Sequence, residues 1–149
     1  MQNKPEISIV IPLFNENESL IELNETIQKG LNEYNVNYEV IFIDDGSTDK
    51  SWASIKEIAI KSKNIFGISF SKNYGKSQAL HAGFEMAKGN YVFTLDADLQ
   101  DSPYEIPLMH EILLKENLDL ISGWKKKRFD SILFKNLPSK LFNLHRLMV

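Results

Sequence analysis

Apolar and polar positions along the chain fall into blocks of two different periods. Short, nearly all-apolar runs occupy Ile7 to Pro12 (ISIVIP), Tyr38 to Ile43 (YEVIFI), Ile65 to Phe70, Asn90 to Leu95 and, more briefly, Leu118 to Ser122. Their length and their β-branched and aromatic content predict five strands. Between them the apolar residues change to helical spacing. Leu20, Leu23, Ile27 and Leu31 share one face, as do Trp52, Ile55 and Ala59 in a helix from about Ser51 to Lys61. A third helix is expected from Ser77 to Lys88, with Gly89 placed to close it. Ser19 and Glu22 have the spacing of a capping box. Ser102, Pro103 and Glu105 suit the N-cap, first and third positions of the next helix. A last stripe, Leu133, Leu137, Leu141, Leu144 and Met148, predicts a C-terminal helix. Apolar strands alternating with helices predict an α/β fold, a mixed, mostly parallel sheet with helices on both faces.

Ligands of such sheets bind beyond the carboxyl ends of the strands, and the polar residues gather there. Pro12, Phe14 and Glu16 follow the first strand, Asp44, Asp45, Gly46 and Ser47 the second, and Asp96 and Asp98 the fourth. The run FTLDADLQDSP poses the sharpest question, because a buried strand has no use for two aspartates one residue apart. In an extended chain residues i and i+2 point the same way, with Cα atoms about 7 Å apart. Two carboxylates so placed share a divalent cation, and Gln100 continues the series as a neutral oxygen ligand. Hard oxygen donors suit Mg²⁺ or Mn²⁺, with substrate phosphate oxygens completing the shell. An acidic turn capping the helix at Pro103 needs only Asp101 or Ser102 and leaves Asp96 and Asp98 unexplained.

Spacing excludes other motifs. An EF-hand loop begun at Asp45 or Asp96 needs Glu at its twelfth position, where Lys56 and Pro107 stand. Gly75-Lys76-Ser77 has the ending of a P-loop, but the required earlier glycine is Phe70. These residues read instead as a turn into a helix, with a glycine that lets backbone approach a ligand. Lys72 and Lys76 either add positive charge near a phosphate or are solvated. Ser47, Thr48 and Asp49 read as a turn and N-cap. That leaves Asp44 and Asp45 as strand-end carboxylates able to accept from a base N–H or a ribose hydroxyl. Lys125-Lys126-Lys127-Arg128, on the same rim, is either a solvated loop or the place where a diphosphate or an anionic membrane surface is met. Ile132, Phe134 and Phe142, outside the leucine stripe, fit core packing or a surface against a membrane or a partner chain, a second copy included. His81, His110 and His145 share no metal-ligand spacing and read as structural or solvent-facing.

At 149 residues the chain has room for one core. A net charge of −3 gives no global pull toward nucleic acid, and none is expected as a partner. The absence of cysteine removes disulfide frameworks and thiolate metal sites and fits a reducing compartment. MQNKPEISIV lacks the apolar core and cleavage site of a signal peptide, and no stretch approaches the ~20 apolar residues of a spanning helix.

IVIPLFNENESL, VIFIDDGSTDKS, SKNYGKSQALHAGFEMAKGN and YVFTLDADLQDSPYEIP, in that order, resemble the inverting family 2 glycosyltransferases with the GT-A-type, Rossmann-like fold. Within that family they look most like the polyprenyl-phosphate hexosyltransferases, the dolichyl-phosphate mannose synthases among them. The likeness runs from Ile7 to about Arg128. It implies transfer of a hexose from a UDP- or GDP-sugar to polyprenyl phosphate, with inversion and with Mg²⁺ or Mn²⁺. It implies that Pro12, Phe14 and Glu16 frame the base, that Asp45 contacts base or ribose with Asp44 beside it, and that Gly75 and Lys76 lie at the donor. Asp96, Asp98 and Gln100 would hold the metal and the donor diphosphate, with Asp98 and Asp96 as the catalytic pair. Arg128 would meet phosphate, with Lys135 and Ser139 as a basic–hydroxyl pair nearby.

Relatives that act on sugar hydroxyls in polysaccharide synthesis carry a later acidic base motif and a Q-x-x-R-W segment. Neither is present, and a lipid phosphate, already anionic, needs no strong general base. The resemblance also implies a nucleotide-sugar-binding domain over residues 1–128 and the start of an acceptor or membrane-proximal helical segment over 129–149. It places the protein in peripheral contact with the cytoplasmic face of a membrane, in cell wall biogenesis. Similar chains usually continue past this length, so the donor half reads as complete and the acceptor half as C-terminally truncated. The rivals are a non-catalytic nucleotide-sugar-binding fragment, a phospho-accepting signalling domain and a D-x-D phosphatase. The last two want acids after the first strand, where this chain has them after the second and fourth.

Overall fold

The computed structural model describes residues 4–123. Lys125 to Arg128, Lys135, Ser139 and the expected C-terminal helix lie outside the described residues, as does the domain boundary expected at residue 128. The chain divides into two compact units, Met1–Asp119 and Leu120–Val149, and the elements below belong to the first.

Strands and helices alternate as β1 (Ile7–Leu13), α1 (Leu20–Tyr34), β2 (Tyr38–Asp44), α2 (Ser51–Lys61), β3 (Ile65–Ser69), α3 (Lys76–Met86) and β4 (Tyr91–Thr94). A 3₁₀ turn at Pro103–Glu105 then leads into α4 (Ile106–Glu116). The sheet order is β3-β2-β1-β4, and every pairing is parallel. β1 and β2 are buried at every position, which is why their sequences are apolar on both faces. From β1 the chain winds outward to β3, and α3 then carries it back across β2 and β1 to β4 on the other side. The order therefore reverses at β1, and the crevice expected at such a reversal opens above the carboxyl ends of β1, β2 and β4.

Alternation along the strands sets the two faces. Val10, Ile41, Ile43 and Ala79 form one cluster with Phe66, Ile68, Phe70 and Leu80, and this is the face covered by α3. On the opposite face, Trp52 and Ile55 of α2 close over Gly67. Leu20, Leu23, Ile27 and Leu31 of α1 are fully buried alongside. Helices thus cover both faces as expected.

Several local expectations are corrected. The fifth strand does not form among the described residues. The chain leaves α4 through a left-handed Asn117 (φ 51), and Leu118 and Leu120 are exposed. Ser19 does precede α1, but its hydroxyl donates back to the Glu16 carbonyl (2.9 Å) and no capping box is made. Ser102 precedes the 3₁₀ turn, with Pro103 first in it, and its side chain makes no cap bond. In α2 the half-buried Trp52 and Ala59 flank a buried face that also takes in Ser51 and Ile58 beside Ile55. Gly89 does not close α3, which ends at an extended Ala87. Its missing Cβ serves a close approach instead, because a Cβ there would lie 2.5 Å from the backbone nitrogen of Ser8. Its N–H donates to Ser8 Oγ (2.8 Å), and buried Glu39 accepts from Ser8 Oγ and from the N–H of Lys88, each at 2.6 Å. His110 is a buried packing residue of α4, with the Tyr34 hydroxyl 3.1 Å from Nδ1. His81 is an exposed neighbour of Glu85.

Candidate functional site

Past β1 the chain turns at Asn15, which adopts a left-handed conformation (φ 57). Asn15 ties this loop to the one after β2. Its N–H donates to Ser47 Oγ (2.8 Å), and its Oδ1 accepts from the N–H groups of Thr48 (2.8 Å) and Asp49 (3.3 Å). Glu16 N–H donates to Ser51 Oγ (3.0 Å), and Asn17 N–H donates to Asp49 Oδ2 (3.2 Å). Asp49 Oδ1 also accepts from Ser51 N–H (2.8 Å), so Asp49 serves the start of α2 while Ser47 serves Asn15. Some loss of solvation opposes charge on the exposed Asp49, but the hydrogen bonds from Ser51 and Asn17 outweigh it and hold the carboxyl below its usual range.

Asp44 and Asp45 are consecutive, so they point to opposite sides. Asp44 is 1% exposed and is not brought to the cleft; it accepts from Ser47 N–H (2.9 Å) and Ser69 Oγ (3.4 Å). Asp45 accepts from the N–H groups of Tyr74 (2.7 Å) and Gly75 (2.8 Å), which fixes the turn into α3. The two loops pass so closely that a Cβ on Gly46 (φ +74) would stand 2.3 Å from the Lys72 carbonyl carbon.

After β4 the chain is not extended through the aspartates. It turns at Ala97–Asp98, and Leu99 is left-handed (φ 61). Asp101 Oδ2 accepts from Asp96 N–H (3.1 Å), and Asp98 Oδ1 accepts from Gln100 N–H (3.1 Å). The turn still directs Asp96 and Asp98 into one cleft of about 310 Å³, lined by Pro12, Phe14, Glu16, Asp45, Gly75 and Lys76 as well. A cleft of this size is at the lower end of those that hold small ligands. Asn73 and Ala79 also line it and were not singled out by sequence. Gln100 does not line it, and Arg128 lies outside the described residues. Lys76 Nζ is paired with Asp96 Oδ1.

Glu16 also borders a second hollow of about 390 Å³, shared with Asp98 and lined by Asn15, Asn17 and Asp49. Burial, and then the charge of Asp98 with those of Asp49 and Asp96, push the Glu16 carboxyl above its ordinary value. The site is therefore short of positive charge. Among the described residues no three acidic, imidazole or thiol side chains converge as a complete metal cage. Asp96 and Asp98 nonetheless supply two hard oxygen donors, and the ammonium against Asp96 shows that this carboxylate takes a cation. Two carboxylates, with water and phosphate oxygens for the remaining positions, is how Mg²⁺ is commonly held, so the residues fit such an ion.

The family described as Glycosyl transferase family 2 matches residues 8–148. The undecaprenyl-phosphate 4-deoxy-4-formamido-L-arabinose transferase of Aeromonas hydrophila is 41% identical over 138 residues, which are 92% of this chain and 42% of that protein. The dodecaprenyl-phosphate galacturonate synthase of Rhizobium johnstonii is 34% identical over 135 residues, 90% of this chain and 40% of that one. The chain thus spans about two fifths of the length of these relatives. Among solved structures, the mannosyltransferase PcManGT of Pyrobaculum calidifontis, in complex with GDP-Man and Mn²⁺, superposes with a TM-score of 0.53. It is 22% identical, and the match covers 65% of this chain and 28% of that one, a likeness of fold.

Proposed function

The chain belongs to glycosyl transferase family 2, and from that membership we propose that it forms the donor-binding part of an enzyme that moves a sugar from a UDP- or GDP-sugar to polyprenyl phosphate, with inversion. The observation that carries this reading is the single cleft joining Asp45 to Asp96 and Asp98 at the strand-order reversal. The two relatives bear different sugars and the same class of lipid phosphate in their names, which supports the acceptor class and leaves the sugar open.

In this reading Pro12 and the partly exposed Phe14 flank the base. Asp45 has both oxygens engaged by backbone N–H groups, and each keeps a second lone pair for a base N–H or ribose hydroxyl. Asp96 and Asp98 hold Mg²⁺ or Mn²⁺, the ion found with GDP-Man in the archaeal neighbour. When bound, the cation supplies neutralisation of the diphosphate as it leaves. Among the described residues no histidine lines the cleft, and an acceptor that is already anionic needs no strong base there. No helix among the described residues is long and apolar enough to cross a membrane. The lipid phosphates in both relatives' names are what support including peripheral contact at the cytoplasmic face in the proposal.

Calorimetric titration with UDP and GDP, with and without Mn²⁺, tests the reading. Metal-dependent binding that falls at least ~10-fold in Asp98→Ala is expected, since the lost interaction is a metal ligand. Binding that ignores both the metal and the substitution would overturn it. A second reading, donor binding without turnover, is favoured by the two-fifths coverage of the relatives. Release of UDP or GDP from its sugar on addition of polyprenyl phosphate separates the two.

A further inference from the structure

Among the described residues Lys76 is the one cation lining the cleft, beside Glu16, Asp45, Asp96 and Asp98. The carboxylates are not equally served. Asp45 is held by two backbone N–H groups, and Asp98 accepts from Gln100 N–H. Asp96 Oδ1 accepts from the ammonium of Lys76. The root and the head of Lys76 differ in freedom. Its backbone follows directly on Gly75, whose N–H is pinned by Asp45, and it opens α3. Its side chain is 59% exposed, on a flexible four-carbon stem that swings without disturbing the backbone.

We propose that Lys76 is an exchange partner for the divalent cation, resting on the donor-binding reading above. In the ligand-free cleft the ammonium neutralises Asp96. A cation that takes Asp96 and Asp98 displaces the ammonium, and the nearest new anion is the diphosphate that arrives with the cation. No bond is made or broken; one ion pair is traded for another. Two consequences follow from the competition. Metal alone binds against the internal ion pair and is weakened by it. Metal and nucleoside diphosphate together bind cooperatively, because the diphosphate rehouses the displaced ammonium. Lys76 is thus a positioning residue that acts on the metal through Asp96.

The test is Mn²⁺ titration of the full 149-residue chain, read by electron paramagnetic resonance, with Mn²⁺ alone and then with Mn²⁺ plus UDP or GDP. Lys76→Met removes the competitor. An exposed ion pair is worth little, so the expected change is about twofold to fivefold tighter binding of Mn²⁺ alone. In the same variant the gain in Mn²⁺ affinity on adding the nucleotide shrinks by a similar factor. Damage to the fold weakens both and does not tighten either, so the opposite signs carry the result. Lys76→Arg, which keeps the charge, is expected to stay near wild type in the metal-alone arm. Metal-alone affinity unchanged or lowered in Lys76→Met overturns the proposal. If neither UDP nor GDP binds the wild type with Mn²⁺, the donor-binding reading falls. The metal-alone arm still decides whether Lys76 competes for Asp96.

Discussion

Asp45→Asn is the substitution that most directly joins the fold to the site. The carboxylate is 4% exposed, with Oδ1 2.7 Å from Tyr74 N and Oδ2 2.8 Å from Gly75 N. Asparagine keeps one oxygen and turns an amide N–H against the other backbone donor. The bond that survives loses its charge assistance, about 1 kcal/mol, and the orphaned buried N–H costs about 1–3 kcal/mol. The sum is about 2–4 kcal/mol, which at roughly 2–4 °C per kcal/mol lowers Tm by about 10 °C. Circular-dichroism melts in chelator read this directly. The same loop carries Gly75 and Lys76 into the cleft, so affinity for UDP or GDP with Mn²⁺ falls as well. Asp44→Asn is the paired control. Asp44 is as deeply buried but serves Ser47 and Ser69 away from the cleft, so it should lose stability and keep nucleotide affinity. A Tm for Asp45→Asn within about 2 °C of wild type would refute the reasoning, because no buried acceptor could then matter at that turn.

Two further outcomes follow from the same loops. Gly46→Ala places a Cβ 2.3 Å from Lys72 backbone at φ +74, with no flexible side chain to yield; a loss of about 3 kcal/mol or more is expected in urea unfolding. Burial and the nearby carboxylates raise the Glu16 carboxyl above its ordinary value in the folded state. A raised carboxyl favours the folded state at low pH, and that contribution is lost as pH rises through the folded value. Glu16→Gln therefore melts higher than wild type near about pH 7 in chelator, and the gap closes toward about pH 4; a gap that widens on acidification would reverse the sign assigned to Glu16.

The central strands were legible because burial on both faces leaves a direct trace. ISIVIP and YEVIFI can be read as strands without a partner in view, and both form. The cleft was legible for a related reason. Acidic residues that end an apolar strand have no role in its core, and topology carries the ends of β1, β2 and β4 to one rim. Expectations failed where a residue type has several equally good partners. Ser19 could cap a helix or bond a nearby carbonyl, and it does the second. Gly89 could end a helix or admit another strand, and it admits β1. Leu118 to Ser122 has strand composition, but no ladder partner appears beside it among the described residues.

The split between Asp44 and Asp45 shows what decides a site beyond composition. Both are carboxylates at one strand end, and sequence placed them side by side at the donor. A strand sends neighbours to opposite faces, so only one of a consecutive pair faces the cleft. Register alone decides which, and register is set by pairing that runs from Ile7↔Tyr38 to Leu13↔Asp44. Asp96 and Asp98 escape that rule in the opposite way. The extended geometry expected to align them is replaced by a turn at residues 97–98, held by Asp101 on Asp96 N–H. They reach the same cleft by a different route, and the residue that makes the route, Asp101, had been read only as a helix cap. The side chains that face the cleft were therefore easier to find than the side chains that aim them. The first are conspicuous because their charge is out of place. Of the second, Asp49 was readable as a turn and N-cap residue and does hold Ser51 N–H, whereas the roles of Asn15 and of Asp101 on Asp96 N–H emerge only with the backbone groups they hold. Asn15, directly after an apolar strand, is a residue type suited to its turn, since asparagine enters left-handed conformations more readily than most residues.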